Sequence, residues 1–200
     1  MKRIGVFGGS FDPVHNAHVA LAHDALANLP LDEVRWVPAG RPWQKTRQLA
    51  GPEHREAMVA QAMAGEPRFR LETSELRRRG PSFTLDTVQE MQAAEPGAAW
   101  FLIIGQDQYT GLHTWRDWRE LIRLVTLVVA KRPGVNAFPH PDLIRSEQRA
   151  LSLPMMDISS TDIRARVAEG LPIDDLVPQG VARYIAEHRL YQRPHSPSGS

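Results

Sequence analysis

Along this chain, short runs dominated by Val, Ile, Leu and Phe alternate with longer stretches in which apolar residues recur every three or four positions. The short runs predict buried strands over residues 3–7, 33–37, 69–72, 99–104, 126–130 and 155–158. Between them the helical period predicts helices over residues 17–29, 53–64, 85–94, 115–124 and 142–149. Two further helices, 160–169 and 179–188, follow the last strand, with Pro172 and Pro178 marking the break between them. Regular alternation of strand and helix is the pattern of βαβ units. The expected fold class is therefore α/β, an open parallel sheet flanked by helices, with a C-terminal helical segment.

Composition narrows the chemistry. A chain of 200 residues corresponds to about one domain, here expected over residues 1–192, and is long enough to bury a core without disulfides. Residues 193–200 have nothing apolar to bury and are expected to form a frayed tail. With no cysteine in the chain, thiol nucleophiles, disulfides and thiolate metal sites are excluded. Lys and Arg number 24 against 23 Asp and Glu, so the net charge of +1 provides no field to hold a nucleic acid. No apolar run approaches the roughly 20 residues that span a bilayer, and the opening Met1-Lys2-Arg3 leads straight into a short strand and glycines. No membrane partner and no export are expected, and a cytoplasmic location fits the lack of cysteine. The one basic cluster, Arg77-Arg78-Arg79-Gly80, reads as a solvated turn between strand and helix.

Candidate chemistry begins where the first strand ends. Gly8-Gly9-Ser10-Phe11-Asp12-Pro13-Val14-His15-Asn16-Ala17-His18 leads directly into a helix. Two glycines allow close backbone approach to an anion, and the unpaired N–H groups at the following helix start attract its oxygens. Asn16 is a candidate N-cap, and His15 and His18, three positions apart, then face one side. The pair admits three readings: phosphate contact, metal ligation, or a structural pair at a helix start. Metal ligation lacks a third ligand and an accompanying carboxylate base. Neither the Walker sequence nor the spaced glycines of a dinucleotide fingerprint is present, so this loop would bind phosphate differently. Late in the chain, Ile158-Ser159-Ser160-Thr161-Asp162-Ile163-Arg164 forms a second helix start, with Ser159 and Asp162 spaced as a weak capping box and Arg164 one turn in. Its planar fork could hold two phosphate oxygens.

The first of these segments resembles the loop signature of the nucleotidyltransferase superfamily, ending in His/Thr-x-x-His. The second resembles the Ile-Ser-Ser-Thr-x-Ile-Arg motif of its adenylyltransferases. Val37-Pro38-Ala39-Gly40-Arg41-Pro42-Trp43-Gln44-Lys45, Pro81-Ser82-Phe83-Thr84-Leu85-Asp86-Thr87, Gly105-Gln106-Asp107 and Leu112-His113-Thr114-Trp115 are similar to segments of the nicotinate-nucleotide adenylyltransferase family. The resemblance spans nearly the whole chain and implies a Rossmann-like nucleotidyltransferase domain. It implies transfer of AMP from ATP to nicotinate mononucleotide in NAD biosynthesis, with Mg²⁺ held by the triphosphate and water rather than by a protein cage.

Carried onto this sequence, the resemblance gives His15, His18, Lys45 and Arg164 the role of catalytic positive groups. It places ATP against Gly8, Gly9, Ser10, Phe11, His15, His18, Gly105, Asp107, Ile158, Ser159, Ser160, Thr161 and Arg164. It places the mononucleotide against Gly40, Lys45, Thr84, Trp115 and Arg116. An electron-poor pyridinium stacks well on indole, and the Thr84 and Arg116 N–H groups could hold its carboxylate. Trp115, Trp118 and Ile122 would also share a helix face, which leaves a core role for Trp115 open. Ala17, Gly40 and Gln44 stand where relatives carry Gly, Asn and His; the second change removes a side-chain contact with the mononucleotide. Phosphopantetheine transfer and a non-catalytic nucleotide sensor are the competing functions, and a homo-oligomer is allowed.

Overall fold

The structure is a computed structural model that describes residues 1–40, 49–131, 138–152 and 156–193. Six parallel strands form one sheet in the order β3-β2-β1-β4-β5-β6. The strands are β1 (Arg3–Gly9), β2 (Glu33–Pro38), β3 (Phe69–Leu71), β4 (Ala99–Gly105), β5 (Thr126–Lys131) and β6 (Gln148–Ser152). This is the doubly wound, Rossmann-like order, with the direction of winding reversing between β1 and β4. Chains leaving those two strands diverge to opposite faces and open a crevice at their carboxyl ends.

Alternation along the strands separates two cores. In β1, Phe7 joins one face with Leu21, Ala22, Ala25 and Leu26 of α1 (Asn16–Asn28) and Met58, Val59 and Ala62 of α2 (Pro52–Ala62). Ile163 of α8 (Ser160–Ala168) and Val181 and Ile185 of α9 (Gln179–Glu187) complete that layer. On the other face Ile4 and Val6 meet Leu85, Val88 and Met91 of α4 (Thr84–Ala94), and Trp118 and Leu121 of α6 (Trp118–Leu124). Tyr109 of α5 (Gln106–Gly111) and Leu143 of α7 (Pro141–Ile144) belong to the same layer. The first five strands and the longer helices thus lie where the apolar pattern puts them. Among the described residues no helix is long and apolar enough to cross a membrane.

Three expected elements are corrected. The sixth strand runs over residues 148–152, not 155–158, and the helix expected over 142–149 stops at Ile144. Met155 lies outside the described residues, and 156–158 form no regular element. The physical reason is position in the sheet. β6 is an edge strand whose main chain bonds to β5, with Leu127 paired to Gln148 and Lys131 to Ser152. Only Leu151 of its described side chains is buried, so its polar sequence carries no apolar signature. The helix expected over 115–124 begins late as well. A 3₁₀ turn at Leu112–Thr114 is followed by extended Trp115, and Asp117 is left-handed at φ 51°, so α6 starts at Trp118. Trp115 and Trp118 consequently do not share a helix face.

Two short helices have no counterpart in the sequence pattern: α3 (Ser74–Arg77) and α5, which starts directly from β4. Arg78, expected in a solvated turn, instead ties α3 to α4 through Thr87 Oγ1 at 3.3 Å and Glu90 at 2.7 Å.

Ile163 is fully buried on the helix that carries the second motif. Ile163→Ala is expected to lower unfolding free energy by about 2–5 kcal/mol, read from the urea midpoint, whereas Leu171→Ala at a position 47% exposed should change it by less than about 1 kcal/mol.

Candidate active site

The loop between β1 and α1 is buried from Phe11 to His15. Phe11 adopts φ 46°, an unusual backbone for an aromatic residue. Its ring packs edge-on against Phe7 and His18, with centroids 5.5 and 5.1 Å away, and lies 5.3 Å from Trp36. That packing braces His18 from below. His15, rather than Asn16, occupies the cap position of α1, because the His18 Nδ1 accepts the His15 N–H at 3.2 Å and an imidazole performs the cap function. Asn16 is the first helical residue, and its Nδ2 donates to the Asp175 carbonyl at 3.0 Å. The two imidazoles stack with centroids 3.6 Å apart, on the same side as their spacing requires. With Nδ1 of His18 an acceptor, the neutral ring carries its proton on Nε2.

The second motif meets this loop from behind. Ser159 caps α8, its Oγ accepting the Asp162 N–H at 3.1 Å. Ser160 Oγ donates to the Pro13 carbonyl at 2.9 Å, and Arg164 Nη1 donates to the Asp12 carbonyl at 2.7 Å. The other arm of that guanidinium reaches Thr161 Oγ1 at 3.2 Å. Segments separated by most of the chain therefore close on one another through main-chain carbonyls.

In front of them opens a cavity of about 850 Å³, at the carboxyl ends of β1 and β4. Of the residues expected to contact ligands, Gly8, Gly9, Ser10, His15, His18, Gly105, Asp107, Ile158, Ser159, Ser160 and Thr161 line it, and so do Thr84, Trp115 and Arg116. Trp115 faces the cavity because the left-handed Asp117 keeps it out of α6. Phe11, Gly40 and Arg164 do not line it, and Lys45 lies outside the described residues.

The wall also holds residues that no motif indicates. Lys131 stands at the carboxyl end of β5, where the rule for ligands in open α/β sheets could have found it. Ser82 is buried with its Oγ unpartnered among the described residues, and it faces the cavity. Glu75 accepts Thr87 Oγ1 at 2.8 Å and the Gly40 N–H at 3.3 Å, and burial raises its pKa. The Arg116 guanidinium lies 4.6 Å above the Phe83 ring. Three carboxylates, Glu75, Asp107 and Asp157, line the cavity, but among the described residues no three His, Asp or Glu side chains converge as a metal site.

Electrostatics separates the two histidines. Burial pushes the His15 imidazole from 6.5 down to about 4, and its Nδ1 has no partner among the described residues. At neutral pH this ring is therefore uncharged in the ligand-free chain. It offers a hydrogen bond instead, and an approaching polyphosphate would favour its protonation. The unfolded ring binds a proton near 6.5 and the folded one only near 4. Stability is therefore lost as pH falls through that window. At about 1.4 kcal/mol per pKa unit the full loss is about 3 kcal/mol. Urea midpoints of wild type and His15→Gln should diverge between pH 4 and 6.5, with the variant showing the flatter dependence.

Comparison with known proteins places this geometry in a family. The cytidylyltransferase-like family matches residues 6–166. A Methylibium petroleiphilum protein named "Probable nicotinate-nucleotide adenylyltransferase" is 51% identical, over 96% of this chain and 94% of its own length. An Albidiferax ferrireducens protein of the same name is 49% identical, over 96% and 99%. The solved structure of Plasmodium falciparum nicotinic acid mononucleotide adenylyltransferase complexed with NaAD shares the fold, with a TM-score of 0.77 at 19% identity over 96% of this chain and 98% of that one. A cavity walled by both motifs and near-full-length relatives at this identity lead to one conclusion: the chain belongs to the nicotinate-nucleotide adenylyltransferase family of cytidylyltransferase-like proteins.

Proposed function

We infer that this protein transfers the AMP unit of ATP to nicotinate mononucleotide, releasing pyrophosphate and forming nicotinate adenine dinucleotide. The observation that carries this reading is the single cavity shared by the His15–His18 loop, the start of α8 and the Trp115–Thr84 wall. The names of the relatives support the same chemistry, as do the NaAD complex of the Plasmodium enzyme and its complex with APC. The reading takes residues 1–192 as one nucleotidyltransferase unit.

In the transfer, an oxygen of the mononucleotide 5′-phosphate forms a bond to the α-phosphorus of ATP as the bond to the bridging β-oxygen breaks in line. Pyrophosphate leaves with the electron pair. A phosphate monoester, with a second pKa of about 6, is already largely dianionic at neutral pH, so the attacking oxygen needs no general base. The protein has to bring two polyanions together and hold the charge that moves onto pyrophosphate. His18, with its proton on Nε2, and His15 supply hydrogen bonds at the loop. The N–H groups at the starts of α1 and α8 face the same anion. Mg²⁺ enters with ATP as part of the substrate, coordinated mainly by phosphate oxygens and water.

At the other end, Trp115 stacks the pyridinium ring. The Thr84 N–H, in the first turn of α4, is one of the donors a helix start leaves unbonded, and with that of Arg116 it is directed to the nicotinate carboxylate. Arg164 acts by holding the phosphate loop through Asp12, and Lys45 is assigned to phosphate by resemblance.

Pyrophosphate release from ATP, with nicotinate mononucleotide, nicotinamide mononucleotide or phosphopantetheine offered in turn, tests the reading. The nicotinate substrate is expected to be fastest, and preference for phosphopantetheine would overturn the assignment. His18→Ala should lower kcat by about 10²–10³ with the fold intact, measured in the same assay beside circular dichroism. Trp115→Ala should raise KM for the mononucleotide and leave that for ATP nearly unchanged; equal weakening of both would return Trp115 to a core role.

A further inference from the structure

Arg55 belongs to no motif, sits in the second turn of α2 and is only 2% exposed. A residue there could serve the core with an apolar side chain, yet this one carries a guanidinium that burial disfavours. Its described hydrogen bonds all run to main-chain carbonyls, and those belong to three stretches of chain. Nη1 donates to Ser10 at 3.1 Å and to Ala39 at 2.6 Å, Nη2 to Gly40 at 3.2 Å, and Nε to Ala50 at 3.1 Å. Ser10 and Ala39 line the cavity, while Gly40 and Ala50 flank residues 41–48 on either side.

A second set of bonds joins the same stretches. Asp12, fully buried, accepts the Ala50 N–H at 3.2 Å and the Tyr191 hydroxyl at 2.7 Å on Oδ1, and its charge also faces Arg55. Ala39 N–H donates to the Gly9 carbonyl at 2.8 Å. No side chain fits at Gly40, since a Cβ there would lie 2.1 Å from the Glu75 carbonyl oxygen.

We propose that Arg55 is a positioning residue for adenylyl transfer: it locks the phosphate loop, through Ser10, to the chain on both sides of residues 41–48, through Ala39, Gly40 and Ala50. Asp12 and Tyr191 complete the lock. A guanidinium suits this task because its planar fork reaches several acceptors at fixed angles, which an ammonium cannot do. The lock fixes the loop that holds ATP against the cavity lining at Ala39, and so governs the in-line approach. This inference rests on the adenylyl-transfer reading.

The test compares wild type with R55K, R55A and Y191F in the pyrophosphate assay, with activity expressed per folded molecule from circular dichroism and the thermal midpoint. R55K keeps the charge and loses the fork. Its kcat is expected to fall about 10²-fold, the scale of a misplacement of about 1 Å, with smaller changes in both KM values. Guanidinium ion at sub-denaturing concentration should restore part of the R55A turnover, which a purely structural role would not allow. Should R55A fail to fold, R55K and Y191F carry the test, the latter with kcat lowered about tenfold, as expected for one lost hydrogen bond to a charged group. R55K and Y191F both turning over within threefold of wild type would overturn the proposal. If wild type itself releases no pyrophosphate with nicotinate mononucleotide, the adenylyl-transfer reading fails separately. The lock is then judged by calorimetric affinity for a non-hydrolysable ATP analogue, about tenfold weaker in R55K if it exists and unchanged if it does not.

Discussion

A buried loop must find partners for its main-chain carbonyls, and the segment after β1 cannot find them in a helix or a sheet. Residues 11–15 are buried, and their backbone follows no regular element until α1 begins. The acceptors are claimed from elsewhere: Ser10 by Arg55, Asp12 by Arg164 and Pro13 by Ser160. Each donor is remote in sequence, so the loop takes its shape only when the sheet is wound and both α2 and α8 are docked. The cavity depends on this. Glycines that leave the backbone open to an anion are useful only if the backbone stays in place, and hydrogen bonds from charged donors are the strong ones.

The same burial decides the character of the two histidines. His15 sits deep enough to be neutral, and its ring stacks on His18, whose Nδ1 is occupied by the His15 backbone. The site therefore meets a polyanion with oriented N–H donors more than with stored positive charge. A ring that is neutral when the site is empty avoids repulsion between two stacked imidazoliums, and it can gain charge when phosphate arrives. The cationic side chains of Arg116 and Lys131 are exposed, and both residues line the cavity.

The inner strands β1, β2, β4 and β5 are legible because a buried parallel strand needs apolar residues on both faces, and the runs around Val6, Val34, Ile103 and Val128 satisfy that. β6 is not, because an edge strand is held by main-chain bonds that any side chain permits. The helix α5 is too short, and too close to β4, to show a period of its own. Among the site residues, the two histidines and the Ser159–Thr161 turn are visible since glycines and cap formers mark a helix start in one dimension. Arg55 is invisible by the same logic: an arginine on an amphipathic helix ordinarily points to water, and nothing local reveals that this one turns inward.

By itself the sequence determined the α/β class, the glycine-bearing loop that follows the first strand, and the residue types able to meet ATP. These follow from periodicity and short-range chemistry, which act within a few residues. The tertiary structure decided which groups converge. It freed Trp115 from the helix through the left-handed Asp117, tied Arg164 to the Asp12 carbonyl, packed Phe11 against Phe7 and His18, and made His15 neutral. Burial, the loop's unbonded carbonyls and the reversal between β1 and β4 are properties of the assembled chain. Residues as far apart as Asp12 and Tyr191 acquire a joint role only when folding brings them within hydrogen-bonding distance.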